Sequence, residues 1–243
     1  MEEKKDRNGF NLSKLKCLTS SDLKFIALCT MTIDHIGAVL LPQYLILRII
    51  GRIAFPVYCF LIVNGLFHTK DCKKYIGRLL LFALISEIFF DLAFFGKVFF
   101  PEYQNVFFTL AIGLTMIYLL ESIRNRMLFK IPAFNMAAEL IVVALCCLLA
   151  YLLRTDYSVY GIIIIYGFYE FRYRYMISCF FQAYMNVIAM GGTQCYAVFA
   201  LPFICLYNDK PGRKKYKWFF YIYYPAHLLI LFLLKEFGGN HFV

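Results

Sequence analysis

The fold of this chain is decided by the stretch "DLKFIALCTMTIDHIGAVLLP", residues 22–42. A helix needs about 20 predominantly apolar residues to cross the hydrocarbon core of a membrane, and this stretch has that length and character. It nevertheless places an aspartate beside a histidine, Asp34 and His35, in the middle of the apolar run. Each ionisable group at such a depth costs several kcal/mol, so it is expected to face a protein interior and to mark a functional site.

The composition of the whole chain agrees with a membrane protein. Of the 243 residues 62% are hydrophobic, 19% are aromatic and 16% are charged, and the mean hydropathy is +0.67. A soluble domain would need more polar surface than this. We therefore assign the net charge of +10 to basic loops of a membrane protein and expect no nucleic-acid partner. The nine cysteines are scattered without a C-x-x-C pair, so neither disulfides nor a metal site is expected.

Apolar runs of this kind recur along the chain, and they predict an all-α, polytopic transmembrane helix bundle of about nine helices, with eight to ten as the range. The predicted segments are 22–42, 45–67, 74–96, 104–121, 133–153, 156–169, 175–191, 193–207 and 217–237. No internal repeat or soluble domain is visible. The prediction is a cytoplasmic tail at 1–21, one transmembrane domain at 22–237 and a short C-terminal tail at 238–243.

Basic residues fall in alternate connections between these segments, which is the pattern of cytoplasmic loops. The N-terminal tail, "HTKDCKK", "RNRMLFK", "FRYR" and "DKPGRKKYK" are basic, whereas "PQY", "GKVFFPEYQ", "RTDYS" and "GGT" contain few basic residues. With nine crossings the N-terminus is expected inside and the C-terminus outside. We expect a multi-pass protein of the cell (inner) membrane.

Polar residues of several helices are predicted to lie at one depth. At about 1.5 Å per residue, His35 lies roughly 18 Å along the first helix, in the outer half of the membrane. The other polar residues in this slab are Arg48, Arg52, Glu87, Asp91, Asn105, Thr109, Asp156 and His227. Polar residues that converge in this way are expected to surround an interior cavity rather than to face lipid.

Charge balance within this slab predicts which groups pair. Asp34, Glu87 and Asp91 are expected to neutralise Arg48 and Arg52, and the two histidines would remain free to exchange protons near neutral pH. Asp34 and His35 lie about 100° apart on the helix, so the aspartate is expected to pair with an arginine of the second helix instead of the histidine.

Two prolines lie inside predicted helices. Pro56 cannot donate an N–H to the Arg52 carbonyl, so the second helix is predicted to kink there, and Pro225 leaves the Tyr221 carbonyl free in the same way. The many Phe and Tyr residues around them are expected mostly to face lipid or the membrane interface.

Several motifs together resemble the TraX family of membrane proteins, which is named for a conjugal-pilus acetylase and is similar in kind to larger transmembrane acyltransferases. They are D-H-I-G, R-x-x-G-R-x-A-F-P, H-T-x-x-x-x-K-Y, S-E-x-x-F-D and Y-P-x-H, and the resemblance extends from about Leu23 to Leu231. It departs at Asn64, where an acidic residue is expected, and in "EIFFDL", which lacks a proline. The resemblance implies transfer of an acetyl group from cytoplasmic acetyl-CoA to an acceptor across the membrane.

The resemblance also implies roles for residues of this chain. His35 is expected to be the general base and Asp34 to orient it or to neutralise the arginines, and His227 would handle a proton or carry an acetyl group. Both a ternary complex and an acetyl-histidine mechanism remain open. Arg48, Arg52 or Asn105 would stabilise the oxyanion. The residues expected to position substrate are Arg48, Arg52, Glu87, Asp91, Asn105, Thr109 and Asp156.

Acetyl-CoA is expected as the acyl donor, with its phosphates at the cytoplasmic end. The basic residues assigned to it are His68, Lys70, Lys74 and Arg78. Its pantetheine arm, on the order of 15–20 Å long, would carry the thioester from there to His35.

Other functions are compatible with the same residues. A proton-coupled transporter or flippase would use the His and Asp cluster as a proton relay, and a scaffold subunit of a membrane assembly would not need His35. The acceptor is left open between a protein N-terminus, a glycan and a lipid-linked molecule. Membrane lipids are expected neighbours, and a homo-oligomer is compatible with the sequence because apolar helix faces look alike against lipid and against a second subunit.

Overall fold

The computed structural model describes residues 16–126, 132–212 and 217–238. Within these ranges the chain is all-helical and carries two isolated β-bridges, Leu18 to Tyr207 and Gln104 to Thr155. The predicted tails, 1–21 and 238–243, lie outside the described residues apart from 16–21 and 238, and so do most of the basic residues of the last loop, 213–216. The α-helices are α1 (Ser20–Val39), α2 (Leu45–Gly51), α3 (Ala54–His68), α4 (Cys72–Phe95), α5 (Val106–Arg126), α6 (Pro132–Leu152), α7 (Ser158–Glu170), α8 (Tyr175–Tyr184), α9 (Ala200–Cys205) and α10 (Lys217–Phe237).

These elements form nine helical segments in the described part of the chain, as predicted. Helices α2 and α3 are two parts of one broken segment, a π-helix (Met185–Met190) extends α8, and a 3-10 helix (Gly192–Phe199) leads into α9. The observed ends differ from the predicted ones by only a few residues. This agreement arises because each segment satisfies its own backbone hydrogen bonds, so local sequence suffices to define it.

Four helical segments are long and apolar enough to cross a membrane. They are Leu45–His68, Val106–Arg126, Pro132–Leu152 and Trp218–Phe237. Helices α1 and α4 have 20 and 24 residues but carry more charged residues, among them Asp34, Glu87 and Asp91. In its described part the chain is thus an all-helical membrane protein, and α1, α2 and α4 carry charges inside apolar sequence.

The first helix begins at a capping box. The Thr19 hydroxyl accepts the Asp22 N–H, and the Asp22 carboxylate accepts the Thr19 N–H at 2.8 Å. The connection between α9 and α10 packs beside this start, since the Ser20 N–H donates to the Lys210 carbonyl at 2.8 Å. The same end of the molecule therefore contains the start of α1 and the 206–212 connection.

The second helical segment is interrupted at Arg52 and Ile53, between α2 and α3. There the backbone changes to i→i−3 bonds, with the Arg52 N–H on the Ile49 carbonyl and the Ile53 N–H on the Ile50 carbonyl. Pro56 occupies the first turn of α3, where a proline needs no hydrogen-bond partner. The predicted break near Pro56 is confirmed, whereas α10 runs through Pro225 as one helix from Lys217 to Phe237.

Helix α5 forms the centre of the bundle and contacts α3, α4, α6 and α7. Its inward residues Leu114, Met116, Ile117 and Leu120 are fully buried. Helix α6 packs only along one side and exposes a row of leucines that includes Leu140 and Leu145. Helices α1, α3, α4 and α10 pack beside one another, and the polar residues described below lie between them and α2 and α7.

Candidate functional site

The Asp34 carboxylate binds two arginines of the second helical segment. Arg48 Nη1 lies 2.7 Å from Asp34 Oδ2, and Arg52 Nη2 lies 2.5 Å from Asp34 Oδ1. The close approach of α1 and α2 depends on Gly37 and Gly51, because a Cβ atom at Gly51 would overlap the Asp34 carboxylate and one at Gly37 would lie 2.6 Å from Leu47 Cβ. The predicted pairing of Asp34 with an arginine is confirmed, and both arginines share the carboxylate.

Every nitrogen of the Arg52 guanidinium has a partner. Besides Asp34, its Nε donates to the Arg48 carbonyl at 3.2 Å and its Nη1 donates to the Tyr157 hydroxyl at 3.3 Å. The Tyr157 ring stacks on Phe55 with centroids 3.6 Å apart. Tyr157 has a φ of 62°, which is rare for a tyrosine, so tertiary packing holds its backbone in a strained conformation.

Two further predicted site residues, Thr109 of α5 and Asp156 of the α6–α7 connection, lie beside this group. The Thr109 hydroxyl donates to the Asp156 carbonyl, and the Tyr103 hydroxyl donates to Asp156 Oδ1 at 2.8 Å. Asp156 also interacts electrostatically with Arg52. Thr109 and Asp156 are therefore brought to the arginine side of the site, where they hold the start of α7 in place.

The two predicted histidines are hydrogen-bonded to each other. His35 Nδ1 of α1 lies 2.7 Å from His227 Nε2 of α10, and the ring planes are within 9° of parallel. His227 is 5% exposed, whereas His35 is only partly buried. The edges of Phe94 and Tyr224 contact the His35 ring at centroid distances of 5.3 and 6.0 Å.

The hydrogen bonds of this pair define where its protons lie. His227 Nδ1 is 3.0 Å from the Tyr223 carbonyl, which can only accept, so this nitrogen carries a proton. Neutral His227 then accepts at Nε2 from His35 Nδ1–H, and neutral His35 keeps an unprotonated Nε2. The arrangement leaves one basic lone pair, at His35 Nε2, with a second histidine fixed behind it.

Glu87, Asp91 and Asn105 form a separate group that stabilises the start of α5. Glu87 Oε2 accepts the Asn105 backbone N–H at 3.1 Å and also the Asn105 amide, whose Nδ2 donates to the Ala83 carbonyl at 2.8 Å. Asn105 Oδ1 caps α5 by accepting the Phe107 N–H at 3.0 Å, and Asp91 Oδ2 accepts the Phe100 N–H at 2.7 Å.

This arrangement corrects two expectations. Of the ion pairs found in the described residues, none joins Glu87 or Asp91 to Arg48 or Arg52, and the direct ion pairs of both arginines are with Asp34. One oxygen of each carboxylate instead accepts a backbone N–H of the α4–α5 connection, and the other oxygen, Glu87 Oε1 or Asp91 Oδ1, is buried without a hydrogen-bond partner among the described residues. Asn105 is fully buried and its amide is committed to Glu87, Ala83 and Phe107, so it cannot stabilise an oxyanion.

Replacement of Asn105 by alanine is expected to lower the free energy of unfolding by about 2–4 kcal/mol. The change removes a helix cap, about 1 kcal/mol, and the Asn105 amide hydrogen bonds to Glu87 and the Ala83 carbonyl, about 1–3 kcal/mol, while the backbone N–H of residue 105 stays on Glu87. Thermal unfolding in detergent measures the change. Asn125→Ala is the matched control because Asn125 is exposed and bonds only to Glu121, at 3.2 Å. Equal stability of the two variants would contradict the capping role.

A cavity of about 390 Å³ runs between α1, α3, α4, α5 and α10, and we call it the donor cavity after the acyl donor that the sequence leads us to expect. It is lined by Ser20 and Met31 of α1, which lie about 16 Å apart along the helix at 1.5 Å per residue. Its deep end is lined by Tyr58, Tyr223 and Tyr224. The rings of Tyr223 and Tyr224 pack on His227 with centroids 5.2 and 5.4 Å apart, so one layer of tyrosines separates the cavity from the histidines.

The mouth of the donor cavity is basic. Lys24, His68 and Arg78 line it, and Arg78 Nε is buried with no hydrogen-bond partner among the described residues. Such an unpaired buried donor is costly unless a ligand accepts from it.

Lys70 and Lys74, which the sequence also assigned to acetyl-CoA, do not line the donor cavity. Lys70 lines a separate, shallow cavity, and Lys74 Nζ lies 3.3 Å from Asp71 Oδ2. The backbone N–H of Lys74 and its ammonium group lower the pKa of Asp71, which caps α4. Helix capping therefore explains the position of Lys74 without a ligand.

Tyr58, Tyr224 and Lys24 belong to the site although the sequence did not predict them there. Tyr58 and Tyr224 were expected to face lipid like most other aromatics, yet both lie inside the bundle. For Tyr224 the available signal was its helical spacing, since it is three residues before His227. Lys24 lies one turn into α1, and its spacing from Asp34 gave no indication of a cavity.

The chain is similar to known proteins over most of its length. The family model described as TraX protein matches residues 19–235, which include every residue of the site from Asp34 to His227. A protein of Dichelobacter nodosus named "Probable fimbrial assembly protein FimC, serogroup H1" is 29% identical over 244 residues, covering 88% of this chain and 95% of that protein. An uncharacterized protein of Rickettsia prowazekii (strain Madrid E) is 38% identical over 96 residues, covering 40% of this chain and 35% of that protein. No solved structure matches.

Proposed function

Because this chain belongs to the TraX family, we propose that it is a membrane-embedded acetyltransferase that uses acetyl-CoA from the cytoplasm. The acceptor is an amine or hydroxyl presented at the outer side of the membrane. The name of the Dichelobacter nodosus relative, a probable fimbrial assembly protein, favours a protein subunit of a surface appendage over a glycan as the acceptor.

One observation carries this proposal: no residue in the described part of the chain bonds to His35 Nε2, while His227 bonds to Nδ1 of the same ring, so the lone pair at Nε2 is left free. A general base needs an unprotonated atom near the reacting group and a means of holding its ring. His227 supplies the second requirement, because its bond to the Tyr223 carbonyl fixes the proton positions of both rings. Asp34 does not serve His35, since both of its oxygens are bound by arginines.

The reaction places one proton on His35. The acceptor nitrogen or oxygen forms a bond to the thioester carbonyl carbon, and its proton moves to His35 Nε2. When the tetrahedral intermediate collapses, the carbon–sulfur bond breaks and the proton passes from His35 to the departing thiolate. The imidazolium that forms in between is stabilised by its hydrogen bond to His227.

The donor cavity fits an acyl-CoA in length and charge. Its basic mouth can bind phosphates through Lys24, His68 and Arg78, and its depth of about 16 Å matches the reach of a pantetheine arm. The Tyr223 ring stands between the deep end and the histidines, held by a hydrogen bond of 2.9 Å to Thr32. Transfer requires this ring to move aside, which would keep water from the thioester until the acceptor is bound.

Binding of CoA is the direct test of the donor site. We expect CoA at 100 times its Kd to stabilise the purified protein in detergent by about 2.7 kcal/mol, whereas a sugar nucleotide of similar charge should not. Absence of stabilisation by CoA at millimolar concentration would exclude the acetyltransferase and favour a proton-coupled transporter.

Arg78→Ala is expected to weaken acetyl-CoA binding about 10- to 100-fold. A hydrogen bond between a charged donor and a phosphate contributes about 1.5–3 kcal/mol, and every 1.4 kcal/mol is a factor of ten in affinity. Isothermal titration of the detergent-solubilised protein measures Kd. Arg126→Ala is the matched control because Arg126 is exposed at the end of α5, away from the donor cavity. The same loss in both variants would mean that Arg78 contributes only general positive charge.

A further inference from the structure

The proposed reaction needs a hydrogen-bond donor for the thioester oxygen, and the residues first expected to supply one are already occupied. Arg48 and Arg52 are bound to Asp34, Arg52 also bonds to the Arg48 carbonyl and the Tyr157 hydroxyl, and neither arginine lines the donor cavity. Asn105 is committed to the start of α5. The donor must come from the walls of the donor cavity, where three tyrosines meet at the deep end.

Tyr223 cannot be that donor. The Thr32 hydroxyl donates its only hydrogen to the Leu28 carbonyl at 2.8 Å, so at 2.9 Å from Tyr223 it can only accept. The Tyr223 hydrogen is therefore directed at Thr32, and its oxygen presents only lone pairs to the cavity. Tyr224 is 3% exposed, and its ring edge packs on both histidines, which makes it part of the wall between cavity and histidines.

Tyr58 differs from both of these residues. It is only partly buried, it lines the donor cavity, and its hydroxyl makes no hydrogen bond within the described part of the chain. It interacts electrostatically with Tyr223, which places the two hydroxyl groups in the same end of the cavity. A phenol hydrogen without a partner in an apolar cavity is available to a ligand oxygen.

The depth of Tyr58 in the donor cavity matches the expected position of the thioester. Tyr58 precedes His68 by ten residues on α3, and His68 lines the mouth of the cavity. At 1.5 Å per residue Tyr58 lies about 15 Å below the mouth, within the reach of a pantetheine arm that starts from phosphates bound there.

We propose that Tyr58 is the oxyanion donor of the acetyl transfer, an inference that rests on the proposed function. When the acceptor attacks, the pair of electrons of the carbonyl π bond moves to oxygen, and the Tyr58 O–H donates a hydrogen bond to that oxygen. When the pair returns, the carbon–sulfur bond breaks and the thiolate leaves with the proton held by His35. Tyr58 keeps its own proton throughout.

Tyr58→Phe is expected to lower kcat about 10²- to 10³-fold, the effect of removing one oxyanion donor. The KM for acetyl-CoA should change less than about threefold, because the bond strengthens only in the transition state. Transfer is measured with radiolabelled acetyl-CoA and a supplied acceptor, by the full chain in detergent. Tyr166→Phe is the matched control, a half-buried tyrosine of α7 that does not line the donor cavity.

A second measurement separates a catalytic role from a structural one. Acetyl-CoA labelled with ¹³C at the carbonyl should show a lower carbonyl stretching frequency when bound to the wild-type protein, and this shift should be lost in Tyr58→Phe. If the wild type transfers acetyl groups and Tyr58→Phe does so at the same rate, the role of Tyr58 is overturned, but the proposed acetyltransferase function is not. A loss in Tyr224→Phe in place of Tyr58→Phe would move the role to Tyr224, and no transfer by the wild type would overturn both proposals.

Discussion

Replacement of His35 by alanine is expected to reduce acetyl transfer about 10²- to 10⁴-fold, because a general base contributes that much to the rate. His35 supplies the lone pair at Nε2, and in the described residues the other histidine of the pair has both ring nitrogens engaged, on Tyr223 and on His35. The measurement is single-turnover transfer from radiolabelled acetyl-CoA to a supplied acceptor, so that donor binding and product release do not obscure the chemical step.

The control for the His35→Ala experiment must show that this variant still folds and still binds acetyl-CoA. We expect CoA to stabilise His35→Ala as much as the wild type, because His35 does not line the donor cavity. Thr30→Ala is a control on the same helix, since the Thr30 hydroxyl bonds only to backbone carbonyls of α1, Ile26 at 2.9 Å and Ala27 at 3.2 Å. Undiminished transfer by His35→Ala would remove the base from the mechanism.

His227 distinguishes the two mechanisms that the sequence left open. If both substrates are bound together, His227→Gln should slow transfer without abolishing it, because its role is to hold the His35 ring. If an acetyl-histidine forms, a radiolabelled protein should accumulate when acetyl-CoA is supplied without acceptor. Labelling of the wild type that disappears in one histidine variant would identify the residue that carries the acetyl group.

Asp34→Asn is expected to be the most destabilising single substitution in the site, by about 3–5 kcal/mol, because it leaves two arginines in an apolar interior without their counterion. For a chain of this size that corresponds to a fall in Tm of about 6–20 °C at roughly 2–4 °C per kcal/mol. The side chains of Asp34 and Arg52 are only 12% and 13% exposed, so solvent cannot replace the lost contacts. Thermal unfolding in detergent measures the effect.

A double variant tests whether stranded charge is the cause. Asp34→Asn combined with Arg52→Gln removes one of the two unpaired guanidinium groups and should recover part of the lost stability. Glu102→Gln is the matched control, because it breaks an ion pair with Arg154 whose side chains are 67% and 60% exposed, and such a pair contributes at most about 1 kcal/mol. The stranded-charge explanation would be refuted if Asp34→Asn were as stable as Glu102→Gln. It would also be refuted if the double variant were less stable than Asp34→Asn alone.

The pairing of Asp34 with Arg48 and Arg52 was predictable from the sequence. The two arginines are four residues apart and share a helix face, and the first two helices are joined by a short connection, so α1 and α2 must lie side by side. The break before Pro56 was predictable for a similar reason, since the missing proline N–H is a local property. The effect of Pro225 on helix shape was not, since α10 continues through it from Lys217 to Phe237.

The roles of Glu87, Asp91 and Asn105 were not predictable from their depth. All three lie at the level of the site, yet they bind backbone groups of the α4–α5 connection, and loop geometry is not visible in helical spacing. Two residues of the donor cavity mouth were assigned from the sequence, His68 and Arg78, and they share their stretch of chain with Lys70 and Lys74, which lie outside the cavity.

The sequence by itself determined the nine helical segments and the presence of charge inside them, because hydrophobicity and backbone hydrogen bonding act over one segment at a time. Only the tertiary structure decided that His35 meets His227, 192 residues away, and that Tyr58 and Tyr223 line a cavity. The physical reason is that lipid and protein interior are equally apolar, so a sequence cannot reveal which of them an aromatic side chain faces.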